Sequence, residues 1–228
     1  MIRATLALLA AALGTATAPA AAQLAGRFQV VPSAGAIAFD RASALKTAPT
    51  LGLDASYFLG SGLAVGIHLY TSRVETDGTY FPLVMLDFGD TTYLYTVAQR
   101  ATLLGAGAQL QTRFPLERLE AVLTAGGGVY RFYMDPRKTQ TQTSERLTGP
   151  SGVLGAALSY AVSERVGVRI DARDLILLKY DRDAFDPTLA YTRNNRIPDL
   201  LPPPPPEKDV VHNLRVAVGF SFVPGPER

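Results

Sequence analysis

The sequence predicts an all-β fold, an eight-stranded antiparallel up-and-down transmembrane β-barrel. Three observations predict it. Eight segments alternate apolar and polar residues with a period of two, the connections between them are alternately long and short, and one face of the strands is built mostly from small residues.

Taken in order, the chain of 228 residues opens on Arg3, an Ala/Leu run from Ala4 to Leu13, and Ala20-x-Ala22 before Gln23. That is the layout of a cleaved secretory signal over 1–22, leaving 23–228 as the barrel domain. Cleavage removes one of the 22 Lys and Arg residues, so 21 face 20 acids, a balance that gives no case for nucleic acid. The chain has no cysteine and only His68 and His212, which excludes a disulfide framework, a thiolate metal site and a histidine-rich one. No cofactor is expected. After the signal no apolar run approaches the roughly 18 residues a spanning helix needs.

The strands are expected at Phe28–Phe39, Pro49–Leu59, Leu63–Val74, Tyr93–Phe114, Leu119–Met134, Gly149–Val162, Val166–Leu178 and Val210–Phe222. Pro32 interrupts the first, and Gly126-Gly127-Gly128 in the fifth invites a bulge that would turn Arg131 inward. Connections after odd-numbered strands are long (Asp40–Ala48, Glu75–Thr92, Asp135–Thr148, Lys179–Asp209); those after even-numbered strands are short (Gly60–Gly62, Pro115–Arg118, Ser163–Arg165). Membrane barrels show this asymmetry, with short periplasmic turns and longer outer loops. The short turns set a register. Tyr57 meets Val65 and Asp54 meets His68; Phe114 meets Leu119 and Arg113 meets Glu120; Tyr160 meets Val168 and Leu158 meets Ile170.

Alternation fits a soluble barrel as well as an inverted one, so other features decide which face is inside. The polar parity carries Gly52, Ser56, Gly66, Gly105, Gly107, Gly155, Ala157, Ala217 and Gly219, as a narrow eight-stranded lumen requires. All four lysines (Lys46, Lys138, Lys179, Lys208) fall in long loops. Phe28, Tyr57, Phe114, Tyr160, Phe220 and Phe222 gather at one rim and Tyr70, Tyr93, Tyr95, Phe132 and Tyr133 at the other, as interfacial girdles do. The expected lipid-facing set is therefore Leu63, Val65, Ile67, Val166, Val168, Ile170, Leu214, Val216, Val218 and Phe220. The expected interior polar network is Asp54, His68, Arg113, Glu120, Arg169, Asp171, Arg173 and Arg215, with Gln109 and Gln111.

The last strand, HNLRVAVGFSF, alternates Leu214, Val216, Val218, Phe220 and Phe222 with Asn213, Arg215, Ala217, Gly219 and Ser221. With the signal, eight strands and alternating connections, it resembles the small OmpA/OmpX-like outer-membrane barrels, as architecture over Phe28–Phe222. The resemblance implies residence in the outer membrane of a Gram-negative-type envelope, contact with outer-membrane lipid, and handling by the barrel assembly machinery. Phe222 would be the assembly signal, although the chain departs from the family by continuing through Val223–Arg228.

Mixed-sign interior charges predict a salt-bridged plug, because buried charges persist only when paired. The expected role is structural, or surface interaction through the long loops, with no catalytic residue. Three other readings stay open: a narrow ion or solute pore, a lipid A-modifying enzyme, and a soluble periplasmic lipocalin-like carrier. The Asp54–His68 pair reads as structural, and His212 lacks a neighbouring serine motif. Among the loops, RKTQTQTSER is polar, Tyr80–Phe88 is apolar enough to form a hairpin or contact patch, and Arg182, Arg193, Asn194, Asn195 and Arg196 precede the prolines Pro202–Pro206, a stiff spacer or a docking surface for a surface partner.

Overall fold

In the computed structural model the described residues are 25–77, 98–116, 119–134, 147–163, 165–185 and 206–224, together with the backbone of 84–87 and 92–95. The expected signal, Lys138, the RKTQTQTSER segment, Arg193–Arg196, Pro202–Pro205 and the last four residues lie outside them.

Ten strands form among the described residues: β1 (Phe28–Ala38), β2 (Ala48–Phe58), β3 (Leu63–Glu75), β4 (Val84–Asp87), β5 (Thr92–Tyr95), β6 (Arg100–Leu116), β7 (Leu119–Met134), β8 (Thr148–Ala161), β9 (Val166–Leu178) and β10 (Val210–Phe222). Eight of them close into one antiparallel barrel in the order β1-β10-β9-β8-β7-β6-β3-β2, and β4 and β5 pair separately. Closure leaves no unpaired sheet edge, the condition for strands to cross hydrocarbon. No helix among the described residues is long and apolar enough to cross a membrane.

Paired residues can be followed round the wall from Phe28 through Tyr57, Val65, Leu110, Ala125, Leu154, Asp174 and Leu214. The path regains β1 at Ala38, ten residues beyond its start (38 − 28). That stagger tilts the strands by about 35–45° and leaves a lumen just wide enough for side chains. Burial alternates along every barrel strand, so each has one wall-outward and one lumenal face.

Two of the three expected hairpin registers hold: Tyr57 pairs with Val65 and Asp54 with His68, while Tyr160 pairs with Val168 and Leu158 with Ile170. The third is shifted by two. Phe114 pairs with Ala121, Arg113 with Val122 and Leu116 with Leu119. Pro115 and Leu116 stay in the strand, and Leu116 pairs directly with Leu119. A shift of two preserves side-chain parity, so no residue changes face.

The fourth barrel strand starts at Arg100 instead of Tyr93, because Thr92–Tyr95 pair with Val84–Asp87 as the hairpin anticipated near Tyr80–Phe88. In β1, Pro32 points outward; its pairing with β2 is unbroken, whereas the register with β10 skips Val31 and Pro32. Proline brings no N–H to a ladder, and the gap sits beside it. No bulge interrupts β7. Its register runs unbroken through the glycines, and Arg131 faces outward, its guanidinium 4.7 Å above the Tyr133 ring.

Candidate functional site

The lumen has two chemically distinct zones. The lower, toward the short turns, is ionic. Asp54 on β2 receives both terminal nitrogens of Arg173 from β9 across the barrel, Nη1 at 2.9 Å on Oδ1 and Nη2 on Oδ2. Gln109 Nε2 donates to the same Oδ1 at 3.1 Å. Asp171 accepts from Arg215 Nη1 at 3.1 Å and forms an ion pair with Arg173 Nε at 3.2 Å without a hydrogen bond, and Arg215 Nη2 donates to Ser33 Oγ at 2.7 Å. Below them Arg113 Nη2 lies 2.7 Å from Glu120 Oε2 and 3.0 Å from Gln29 Oε1, and its guanidinium lies 4.5 Å from the Phe58 ring centre. Forked guanidinium contacts of this kind are the strong, charge-assisted ones.

All eight expected network residues are lumenal. Seven are no more than 3 % exposed, and the Glu120 side chain keeps 19 % of its surface at the lower mouth. Two depart from the expected pairing. Asp54 and His68 are cross-strand neighbours, but the carboxylate serves Arg173 and Gln109, and His68 Nδ1 has no hydrogen-bond partner. The imidazole stacks parallel to Tyr70 at 6.2 Å and takes the space above Gly107, where a Cβ would stand 2.4 Å from its Cε1. Arg169, 1 % exposed, makes no hydrogen bond from any guanidinium nitrogen, and its nearest carboxylate oxygen, on Asp171, is 4.0 Å away. The network spans three carboxylates and four guanidiniums, and Arg169 is the surplus cation. Between Asp54, His68, Tyr70, Arg173 and Arg215 a void of about 10 Å³ remains, room for about one water molecule.

The upper zone is apolar. Ile37, Tyr70, Val74, Leu103, Tyr130, Phe132, Val153, Leu175, Leu177 and Val211 point inward and form one buried cluster. Two loops fold down onto it. Asp40 caps a single 3₁₀ turn at Arg41–Ser43, its Oδ1 accepting from the Ala42 N–H at 2.9 Å. A second turn, Arg182–Phe185, drops Phe185 into the mouth, edge-on to Phe132 at 5.0 Å and beside Tyr180 at 6.0 Å. The Phe185 carbonyl accepts from Gln99 Nε2, and Tyr180 Oη donates to the Ser43 carbonyl at 2.8 Å, so the loops lock each other. Tyr70 and Phe132, expected in the second girdle, are therefore part of this stopper, and only Tyr133 among the described side chains of that set faces outward. Gly105 makes the stopper fit: a Cβ there would lie 2.1 Å from the Tyr70 ring. The stopper's parity was readable in the sequence; the turn that delivers Phe185 was not, since its sequence has no periodic signal.

The outward face is aliphatic. Leu63, Val65, Ile67, Ile170, Leu214, Val216, Val218, Phe220 and Phe222 are exposed, and Val166 and Val168 partly so. The lower-rim aromatics Phe28, Tyr57, Phe114, Tyr160, Phe220 and Phe222 all point out. Asp174 is the one outward charge that the period-two reading of β9 did not assign, and it is covered by His212, whose Nδ1 is 2.7 Å from its Oδ2. After Phe222 the Val223 N–H donates to the Arg165 carbonyl at 2.9 Å, tying the start of the extension to the β8–β9 turn.

Comparison with known proteins agrees with this architecture. No curated protein matches the chain by sequence. Among solved structures, Neisserial surface protein A aligns with a TM-score of 0.53 at 13 % identity, over 86 % of this chain and 96 % of that one. OprG from Pseudomonas aeruginosa (TM-score 0.44, 10 % identity, 89 % and 98 % covered) and the attachment invasion locus protein Ail of Yersinia pestis (0.40, 12 %, 87 % and 99 %) also align. The family model for the outer membrane protein β-barrel domain matches residues 7–222. With its strands closed into one barrel and its aliphatic face turned outward, this chain belongs to the outer membrane protein β-barrel domain family.

Proposed function

We propose that this outer-membrane barrel is a sealed anchor: it conducts nothing, catalyses nothing, and holds its long outer loops at the cell surface for structural or surface-interaction work. The observation that carries this reading is the filled lumen. An ionic layer around Asp54, Asp171, Arg173 and Arg215 is followed by an aromatic stopper around Phe132, Tyr180 and Phe185. A solute would have to break several charge-assisted bonds and displace a packed core to pass, each at a cost of kilocalories.

In this reading the leader 1–22 is removed at Gln23, Phe222 is read by the assembly machinery despite the six residues after it, and the aliphatic stripe from Leu63 to Phe220 meets outer-membrane lipid. Planar-bilayer recording of the purified barrel tests the reading: a flat baseline is expected, and large, steady openings overturn it. Expression should also leave the lipid A mass profile unchanged. An altered profile that His212→Ala abolishes would replace the anchor with an enzyme.

A further inference from the structure

On three adjacent strands the outward face turns from apolar to polar within one rank of the same level. Leu69, Ala106 and Val129 are paired across β3, β6 and β7; one rank higher on that face stand Thr71, Leu104 and Arg131, and above them Arg73, Thr102 and Tyr133. Glu75 and Arg100 pair at the next rank. A shared boundary of this kind marks where hydrocarbon gives way to headgroups, the level at which aromatic residues gather in membrane barrels.

Two arginines stand at this boundary without carboxylate partners among the described residues. Arg73 is exposed and makes no hydrogen bond or ion pair among the described residues. Arg131 is exposed and its guanidinium lies over the Tyr133 ring, 4.7 Å from its centre, toward the rank of Thr102. The two backbones are two strands apart, about 9–10 Å, so side chains of arginine length can reach the Thr102 position between them. Just above, Glu75 is shared between Lys46 at 2.8 Å and Arg100 at 3.2 Å, which leaves that trio cationic as well. The patch therefore carries Arg73, Arg131, Lys46 and Arg100 against Glu75 and the nearby Asp77, and stays net cationic among the described residues.

We propose that this patch binds the phosphorylated headgroup of an anionic lipid in the outer leaflet, with Arg73 and Arg131 gripping one phosphate and Thr102 donating from between them. The geometry selects a lipid over a free anion. The cations sit directly on the aliphatic boundary formed by Leu69, Leu104 and Val129, so a ligand with acyl chains below its phosphate satisfies both zones at once. Guanidinium supplies the paired donors that phosphate oxygens accept, and Tyr133 holds one of them in place before the lipid arrives.

Native mass spectrometry of the full-length folded barrel in a neutral detergent tests this with three probes: bis-phosphorylated lipid A, the same lipid stripped of phosphate, and inorganic phosphate. The phosphorylated lipid is expected to bind at least about tenfold better than the stripped one, since charged hydrogen bonds are at stake. R73Q should lose about tenfold, and the R73Q/R131Q double variant should lose the preference altogether. K179Q, which removes a cation outside the patch, should bind as wild type. Both arginines face away from the core, and heat-modifiable migration on gels verifies that the variants fold; R73Q alone, whose side chain touches no partner among the described residues, suffices if the double variant does not. Equal binding of the stripped lipid, an undiminished preference in R73Q, or displacement of the lipid by millimolar inorganic phosphate would each overturn the proposal.

Discussion

Replacing Asp54 by alanine should be among the most damaging changes available in the lumen. Asp54 accepts from both terminal nitrogens of Arg173 and from Gln109, and is 3 % exposed. Without it Arg173 keeps Asp171 through Nε at 3.2 Å and a long contact of 3.4 Å from Nη1 to Gln109. An uncompensated buried charge costs roughly 3–5 kcal/mol, so Asp54→Ala should lower the unfolding free energy by about that much. Replacing both partners, as Asp54→Leu with Arg173→Met, removes the charge and its desolvation together; stability should return to within about 1 kcal/mol of wild type or exceed it. Equilibrium urea unfolding in lipid vesicles, followed by heat-modifiable gel migration and tyrosine emission, measures both. The midpoint should fall for the single variant with an unchanged slope. A single-variant loss below about 1 kcal/mol, or a double variant as unstable as the single, would refute charge compensation as the source of the seal.

Three further outcomes follow from the same geometry. Arg169→Met should leave stability unchanged or raise it, because this guanidinium is buried without a hydrogen bond; a loss above about 1 kcal/mol in the same urea assay would mean it has a partner after all. Phe185→Ala should cost about 3–5 kcal/mol by emptying the centre of the aromatic stopper, yet bilayer recordings should stay closed, since the ionic layer lies beneath it. Burial, reinforced by Tyr130 and opposed by the nearby Arg182 charge, pushes the Tyr180 hydroxyl well above the ordinary tyrosine range. Its neutral form therefore supports the fold fully below the unfolded-chain value of about 10, and that support is lost as pH rises beyond it. Tyr180→Phe should flatten part of the alkaline fall in urea midpoint, and identical alkaline slopes would contradict this.

Much of the architecture was legible because a two-residue period is a strong local signal when one face must meet lipid. The strand faces survived even where pairing was misjudged. Reading Pro115–Arg118 as a four-residue turn moved β6 against β7 by two residues, which kept Arg113 and Glu120 on the lumenal side. They still meet at 2.7 Å, now diagonally instead of directly opposite. The aromatic stopper was obscured for a different reason. Tyr70 and Phe132 lie near strand ends, where girdle residues belong, yet they share parity with His68 and Tyr130, and parity was the better guide. The entry of Phe185 into the mouth depends on Gln99 and Phe132, from two distant segments, meeting the loop that carries Tyr180, a tertiary event with no signature in the loop itself. Arg169 shows the limit of sign counting: a balanced list of charges does not reveal which guanidinium is left without an acceptor.

The two seals need not act independently. Along β9 the lumenal positions run Gly167, Arg169, Asp171, Arg173 and then Leu175, Leu177, and along β10 they run from Ser221 through Arg215 and Asn213 to Val211. The apolar stopper thus stands between the ionic layer and the water above the mouth. Ion pairs strengthen as water is excluded, so the stopper should raise the contribution of the Asp54–Arg173 pair although the two do not touch. Sites this far apart ordinarily add. If the stopper works by keeping water out, Asp54→Ala should cost less in a Phe185→Ala background than in the wild type, by about 1 kcal/mol or more in a double-mutant cycle. Strict additivity would mean that packing and charge close this barrel separately, and that the ionic layer alone is enough to hold the lumen shut.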